Sequence, residues 1–136
     1  MLRKIDLEMS KAVRNREPFF KDNTEVKVTK YKAASVFLFG NDIARIVGGW
    51  IIFSKQCVEE DEWKTATTKR RINALLHEFV PDLKLYQFKG KWYFSREKSH
   101  SLVWHSDNVS INLNEEFISL NYIRFPLFSK SSKEVA

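Results

Sequence analysis

The chain has 136 residues, enough to close one hydrophobic core and short for two domains. Hydrophobic residues make up 43% of it and aromatics 14%, which argues against global disorder, and no apolar run approaches the roughly 20 residues that cross a bilayer. A formal charge of +6 favours either a polyanionic partner or a well-solvated surface, and the single Cys57 excludes an internal disulfide.

The start, Met1-Leu2-Arg3-Lys4-Ile5-Asp6, lacks the uninterrupted apolar stretch of a secretory signal, so a soluble protein of a reducing, cytoplasmic compartment is expected, with no membrane partner. Leu2, Ile5, Met9, Ala12 and Val13 recur at helical spacing with Arg3, Lys4, Lys11, Arg14 and Arg16 between them, until Pro18 interrupts. This predicts a short amphipathic helix in an N-terminal extension over residues 1–22. Such a helix either packs one face on the domain or meets nucleic acid or a membrane surface. Met9 is an alternative start, in which case the first eight residues carry little function.

From Asn23 the period shortens. Val26 and Val28 alternate with charged residues, and Ala34 to Phe39 is a nearly continuous run of strand formers. Gly40-Asn41-Asp42 supplies turn chemistry, and Ile43 to Val47 and Trp50 to Phe53 follow as extended segments on either side of Gly48-Gly49, giving an antiparallel meander. The acidic run Glu59-Glu60-Asp61-Glu62 reads as a solvated loop rather than a metal site, because four adjacent side chains do not converge on one ion.

A helix is predicted from about Thr67 or Thr68 to Phe79, with Ile72, Leu75, Leu76 and Phe79 at i, i+3, i+4 and i+7 facing the core; Lys69, Arg70, Asn73, His77 and Glu78 stay polar, and Pro81 stops it. Leu83 to Phe88 and Lys91 to Phe94 flank Lys89-Gly90 as a hairpin. Leu102 to Trp104 and the alternating Val109, Ile111 and Leu113 are expected to be strands around a Ser106-Asp107-Asn108 turn; Phe117 to Phe128 is apolar enough to pack, and residues 129–136 are expected to fray. The fold class expected is α+β: one domain over residues 23–128, an antiparallel sheet of meander plus hairpin packed against one main amphipathic helix, with a short N-terminal helix.

Asn23-Thr24-Glu25-Val26, Val36 to Ala44 with its Phe39-Gly40-Asn41-Asp42 turn, Trp63-Lys64-Thr65-Ala66-Thr67-Thr68-Lys69 followed by Arg71-Ile72-Asn73, and Lys89-Gly90-Lys91-Trp92-Tyr93 together resemble a family of small uncharacterised bacteriophage proteins. The resemblance covers roughly residues 23–95, and the Thr-Thr-Lys segment is its most specific part. It implies a phage origin and expression in the bacterial host cytoplasm, and it assigns no activity.

Chemistry concentrates at the threonine-rich junction. Lys69, Arg70 and Arg71 fall in the first helical turn, where the macrodipole disfavours cations by about 0.3–1 kcal/mol each. A phosphate there would be held by free backbone N–H groups, the Thr65, Thr67 and Thr68 hydroxyls and the three cations, while Trp63, Trp92 and Tyr93 offered stacking faces to bases. The plainer alternative is that Thr67 or Thr68 caps the helix, the cations are solvated and the aromatics are core. His105-Ser106-Asp107 has the residue types of a hydrolytic triad, but consecutive residues point in different directions. His77, His100, His105 and Cys57 show no zinc spacing, and no phosphate-binding loop or dinucleotide fingerprint occurs. A non-enzymatic protein without metal or cofactor is expected, with nucleic acid as partner or, alternatively, a host protein bound by the aromatic segment from Leu102 to Phe128.

Overall fold

The computed structural model describes residues 2–96 and 101–127. His100, Phe128 and the tail 129–136 lie outside them.

Helix α1 (Lys4–Asn15) buries Met9, Ala12 and Val13 and leaves Lys4, Lys11 and Arg14 exposed, so its apolar face is the one the spacing predicts. Asp6 was not foreseen as core, yet it is fully buried. The first eight residues therefore supply a core contact, which a start at Met9 would remove.

The chain then runs as an antiparallel meander: β1 (Phe19–Lys21), β2 (Thr24–Val28), β3 (Ala34–Leu38), β4 (Asn41–Val47) and β5 (Trp50–Phe53). The β3–β4 turn is Phe39-Gly40, both at positive φ, rather than Gly40-Asn41-Asp42. Left-handed geometry at both central positions matches the twist of the flanking strands, and it frees Asn41 and Asp42 to open β4. A short helix α2 (Gln56–Glu59) takes the first acidic residue, and turns carry the others.

Helix α3 (Ala66–Phe79) buries Ile72, Leu75 and Leu76 as their spacing predicts, together with Ala74. Its N-cap is Thr65, two to three residues earlier than expected, with Thr65 Oγ1 accepting from the Thr68 backbone N–H at 3.1 Å. Phe79 is only half-buried and lies under the Arg14 guanidinium, 4.9 Å from its ring centre, where α1 crosses α3. Asn73 ties α3 to the next strand by bonding both the Leu85 N–H (2.7 Å) and the Leu85 carbonyl (2.8 Å).

Strands β6 (Leu83–Phe88) and β7 (Lys91–Arg96) form the expected hairpin around Lys89-Gly90, and β8 (Ser101–Trp104) completes a three-stranded sheet. β9 (Val109–Asn112), β10 (Phe117–Leu120) and β11 (Ile123–Pro126) instead join the large sheet beside β5, giving eight strands in the order β1-β2-β3-β4-β5-β9-β10-β11. The Ser106-Asp107-Asn108 turn thus passes the chain from one sheet to the other rather than closing a hairpin. The core lies between them: Phe53 of the large sheet stacks on Phe94, which meets Trp104, and Trp104 meets Trp92. No helix among the described residues is long and apolar enough to cross a membrane.

Candidate nucleic-acid interface

The structure divides the residues of the threonine-rich junction. Arg71, expected to face an anion, turns inward and is 3% exposed. Its Nη1 donates to Asp6 Oδ1 at 2.6 Å, its Nε to Thr24 Oγ1 at 3.0 Å and its Nη2 to Asn23 Oδ1 at 3.4 Å, so one guanidinium joins α3 to α1 and to β2. Asp6 Oδ2 also accepts the Arg3 backbone N–H at 2.9 Å at the start of α1. A buried cation with three partners is not available to phosphate, and the reading of Arg71 as an anion ligand is corrected on that ground.

Thr68 is buried as well, its hydroxyl 3.0 Å from that of Thr65, and Thr67 Oγ1 accepts from Arg70 Nη2 at 3.3 Å. Trp92 is 1% exposed and packs on Trp104, so it offers no face to a base; this corrects its assignment as a stacking residue. Trp63 is half-buried against the core, and Tyr93 is half-buried and stacks on Tyr86. Lys64, beside them, donates to the Gly90 carbonyl at 2.7 Å. What remains open at the helix start is Lys69 and Arg70, both partly exposed, since the Thr65 N–H donates to the Trp63 carbonyl and the Thr65 carbonyl accepts the Lys69 N–H.

A second basic surface was not singled out from the sequence. Strand pairing places Lys27, Ser35, Arg45, Ile52, Ser110, Ser119 and Arg124 directly opposite one another in turn, a single row across seven strands from β2 to β11. None of the seven is buried. The alternate positions, Val28, Ala34, Ile46, Ile51, Ile111, Ile118 and Phe125, form the matching row on the opposite face, mostly in the core. A sheet's side chains point to opposite faces in strict alternation, so the two rows are the two sides of one structure.

The neighbouring rows of the outer face carry aromatic rings. Lys27 Nζ stands 4.7 Å above the Phe37 ring centre, and the Arg124 guanidinium 4.0 Å above that of Phe117, which meets Trp50 edge-on at 5.6 Å. These contacts hold two cations of the row in place while leaving their heads at the surface. Arg45, the third, makes one long bond to Asp42 at 3.4 Å. Burial raises the Asp42 pKa above the ordinary carboxylate value, with Arg45 opposing the shift. On the core side of β4, Cys57 Sγ lies 3.9 Å from the Ile43 carbonyl, and desolvation followed by the Asp42 charge pushes its thiol up to about 12.

Residues 2–120 match the family described as Kyanoviridae Gp96 protein. The chain belongs to this bacteriophage protein family. The match begins just before α1 and ends with β10, well beyond the segment 23–95 that carries the resemblance in the sequence. Neither a curated protein nor a solved structure matches the chain.

Other residues with chemical potential are held structurally in this phage protein. His105 and Ser106 both offer their backbone N–H to Asn121 Oδ1, the Asp107 N–H donates to Glu59 Oε2, and Trp104 Nε1 donates to the Asp107 carbonyl. The tripeptide is a turn pinned from three sides. Among the described residues no group of three His, Cys, Asp or Glu side chains is placed to hold a metal ion. The signal that would have found the outer row was in the sequence: Lys27, Arg45, Ser110 and Ser119 each sit between two apolar residues at period two. What turns isolated positions into a row is the register, which no one strand states.

Proposed function

We propose that this phage protein is a non-enzymatic accessory protein of the host cytoplasm that binds single-stranded nucleic acid along the outer face of its eight-stranded sheet. The observation that carries the reading is the cross-strand row of Lys27, Arg45 and Arg124 with three intervening serines, flanked by the partly exposed Phe37 and the exposed Trp50. Cations and hydroxyls at a strand spacing of about 4.8 Å suit a phosphodiester backbone, and aromatic neighbours suit unstacked bases. Sheet twist of about 20–25° per strand makes the path curved, which a flexible single strand follows more readily than a duplex. Phosphate contacts of this kind supply affinity with little sequence preference.

The test is fluorescence anisotropy with a labelled oligothymidylate over a range of salt. Lys27→Gln, Arg45→Gln and Arg124→Gln together should weaken binding and reduce the salt slope by about 2, at about 0.7 for each lost phosphate contact on a single strand. Lys69→Gln with Arg70→Gln tests the helix start in the same assay, and a larger loss there would move the interface from sheet to helix. A parent protein that fails to bind at low salt would end the nucleic-acid reading.

A second reading, contact with a host protein, is favoured by Tyr122 and Ile123, which are 81% and 57% exposed at the β11 end of the large sheet. The broader surface expected from Leu102 to Phe128 does not support it, because Trp104, Val109, Ile111, Ile118 and Leu120 are core.

A further inference from the structure

At the α2 end of the outer face, Asp42, Ala44, Arg45, Ile52, Ser54, Gln56 and Asn108 line a cleft of about 330 Å³. That is at the small end of the roughly 300–1,000 Å³ typical of ligand sites. Arg45 and Ile52 belong to the cross-strand row as well, so the cleft opens beside the path proposed for the phosphate backbone.

Its polar groups are arranged rather than incidental. Asn108 Oδ1 accepts the Lys55 backbone N–H at 2.8 Å, which fixes the side chain and leaves its amide N–H groups without a partner among the described residues. The Gln56 side-chain amide likewise makes no bond among the described residues, while its backbone N–H donates to Ser54 Oγ at 3.3 Å and its carbonyl accepts the Glu60 N–H at 3.0 Å. Asp42 has a 37% exposed side chain whose one ion pair, to Arg45, is long, so its carboxylate retains acceptor capacity.

We propose that this cleft takes a guanine base from the strand lying along the row, an inference that rests on the nucleic-acid reading of the outer face. A carboxylate is a poor neighbour for phosphate and a good one for a base edge that presents hydrogen-bond donors. Guanine is the one common base whose Watson–Crick edge sets two adjacent donors, N1–H and the 2-amino group, against a single carboxylate, with an acceptor, O6, beside them. Asp42 accepts the two donors, and the Asn108 or Gln56 amide donates to O6. Adenine presents the N1 acceptor to Asp42 instead, and uracil and thymine present one donor between two acceptors.

The experiment compares oligothymidylates carrying one central guanine, adenine or hypoxanthine, which lacks the 2-amino group, against the parent protein and Asp42→Asn. The parent should bind the guanine strand roughly tenfold more tightly than the adenine strand, in the range a bidentate base contact supplies, with hypoxanthine between them. Asp42→Asn should bring the guanine-to-adenine ratio close to one while the dependence on salt persists. Equal affinities in the parent would overturn the guanine pocket and leave the outer-face reading standing, as would a guanine preference that survives Asp42→Asn. Failure of every strand to bind at low salt would remove both.

Discussion

Two regions of this chain use arginine in opposite ways. At the junction of α1, α3 and β2, Arg71 is enclosed and satisfied by Asp6, Thr24 and Asn23. On the outer face of the large sheet, Arg45 and Arg124 keep their guanidinium groups at the surface, steadied by one long ion pair or one aromatic ring. The first arrangement fixes how the helices sit and has nothing left to offer a ligand; the second has little bearing on the fold and keeps its donors open. The difference lies in what surrounds each residue, since both regions are basic in the sequence.

The largest effect is expected where the charge is enclosed. Arg71→Met should destabilise by about 3–5 kcal/mol, because it leaves Asp6 buried without a counter-charge. Pairing it with Asp6→Leu should recover much of that loss, since removal of both ions also removes their desolvation cost. Thermal and urea unfolding of the single and double variants measure this, and a double variant no better than Arg71→Met would mean the pair is needed for more than charge balance. Leu76→Ala, in the α3 stripe, should cost about 2–5 kcal/mol by leaving a cavity; an unchanged transition would show that α3 is not part of the core.

How much of this was legible depended on whether the information was local. The α3 stripe could be read because Ile72, Leu75 and Leu76 repeat within two turns, and the β6–β7 hairpin because Lys89-Gly90 is a turn signal between apolar strands. The helix start was displaced because three threonines compete within four positions, and only Thr65 has the extended backbone of a cap, at φ −122° and ψ 165°. The sequence alone puts Arg71 at the surface because its partner, Asp6, is 65 positions away. Trp92 reads as a binding-face residue for a similar reason, as its neighbour Trp104 lies on a third strand. The outer row was hidden more deeply still, since each of its seven members comes from a different strand.

Intermediate effects sharpen the comparison at the helix start, where the structure gives hydroxyls a capping role. Thr65→Ala should cost about 0.5–2 kcal/mol through loss of the bond to the Thr68 N–H, and Thr65→Ser should restore most of it. If Thr65→Ala instead weakened nucleic-acid binding at unchanged stability, the hydroxyl would belong to a ligand site after all. On the sheet, each of Lys27→Gln, Arg45→Gln and Arg124→Gln should alter stability by no more than about 0.5 kcal/mol, as exposed substitutions usually do. A loss of several kcal/mol from any of them would erase the contrast with Arg71.

The smallest perturbation probes the layer beneath the outer face. Cys57 is fully buried, and its thiol is raised to about 12 first by desolvation and then by the nearby Asp42 charge. Both causes disfavour the thiolate, which is the reactive species, so the closed protein presents the neutral thiol near pH 8. Alkylation by iodoacetamide should therefore be far slower in the native protein than in urea. Asp42→Asn removes the second cause but not the first, so the native thiol pKa should fall towards its usual value without reaching it, and labelling at high pH should quicken modestly. Rapid native labelling at neutral pH would mean that the sheet opens around Cys57, and that the outer face is less firmly backed by the core than the inward row of isoleucines implies.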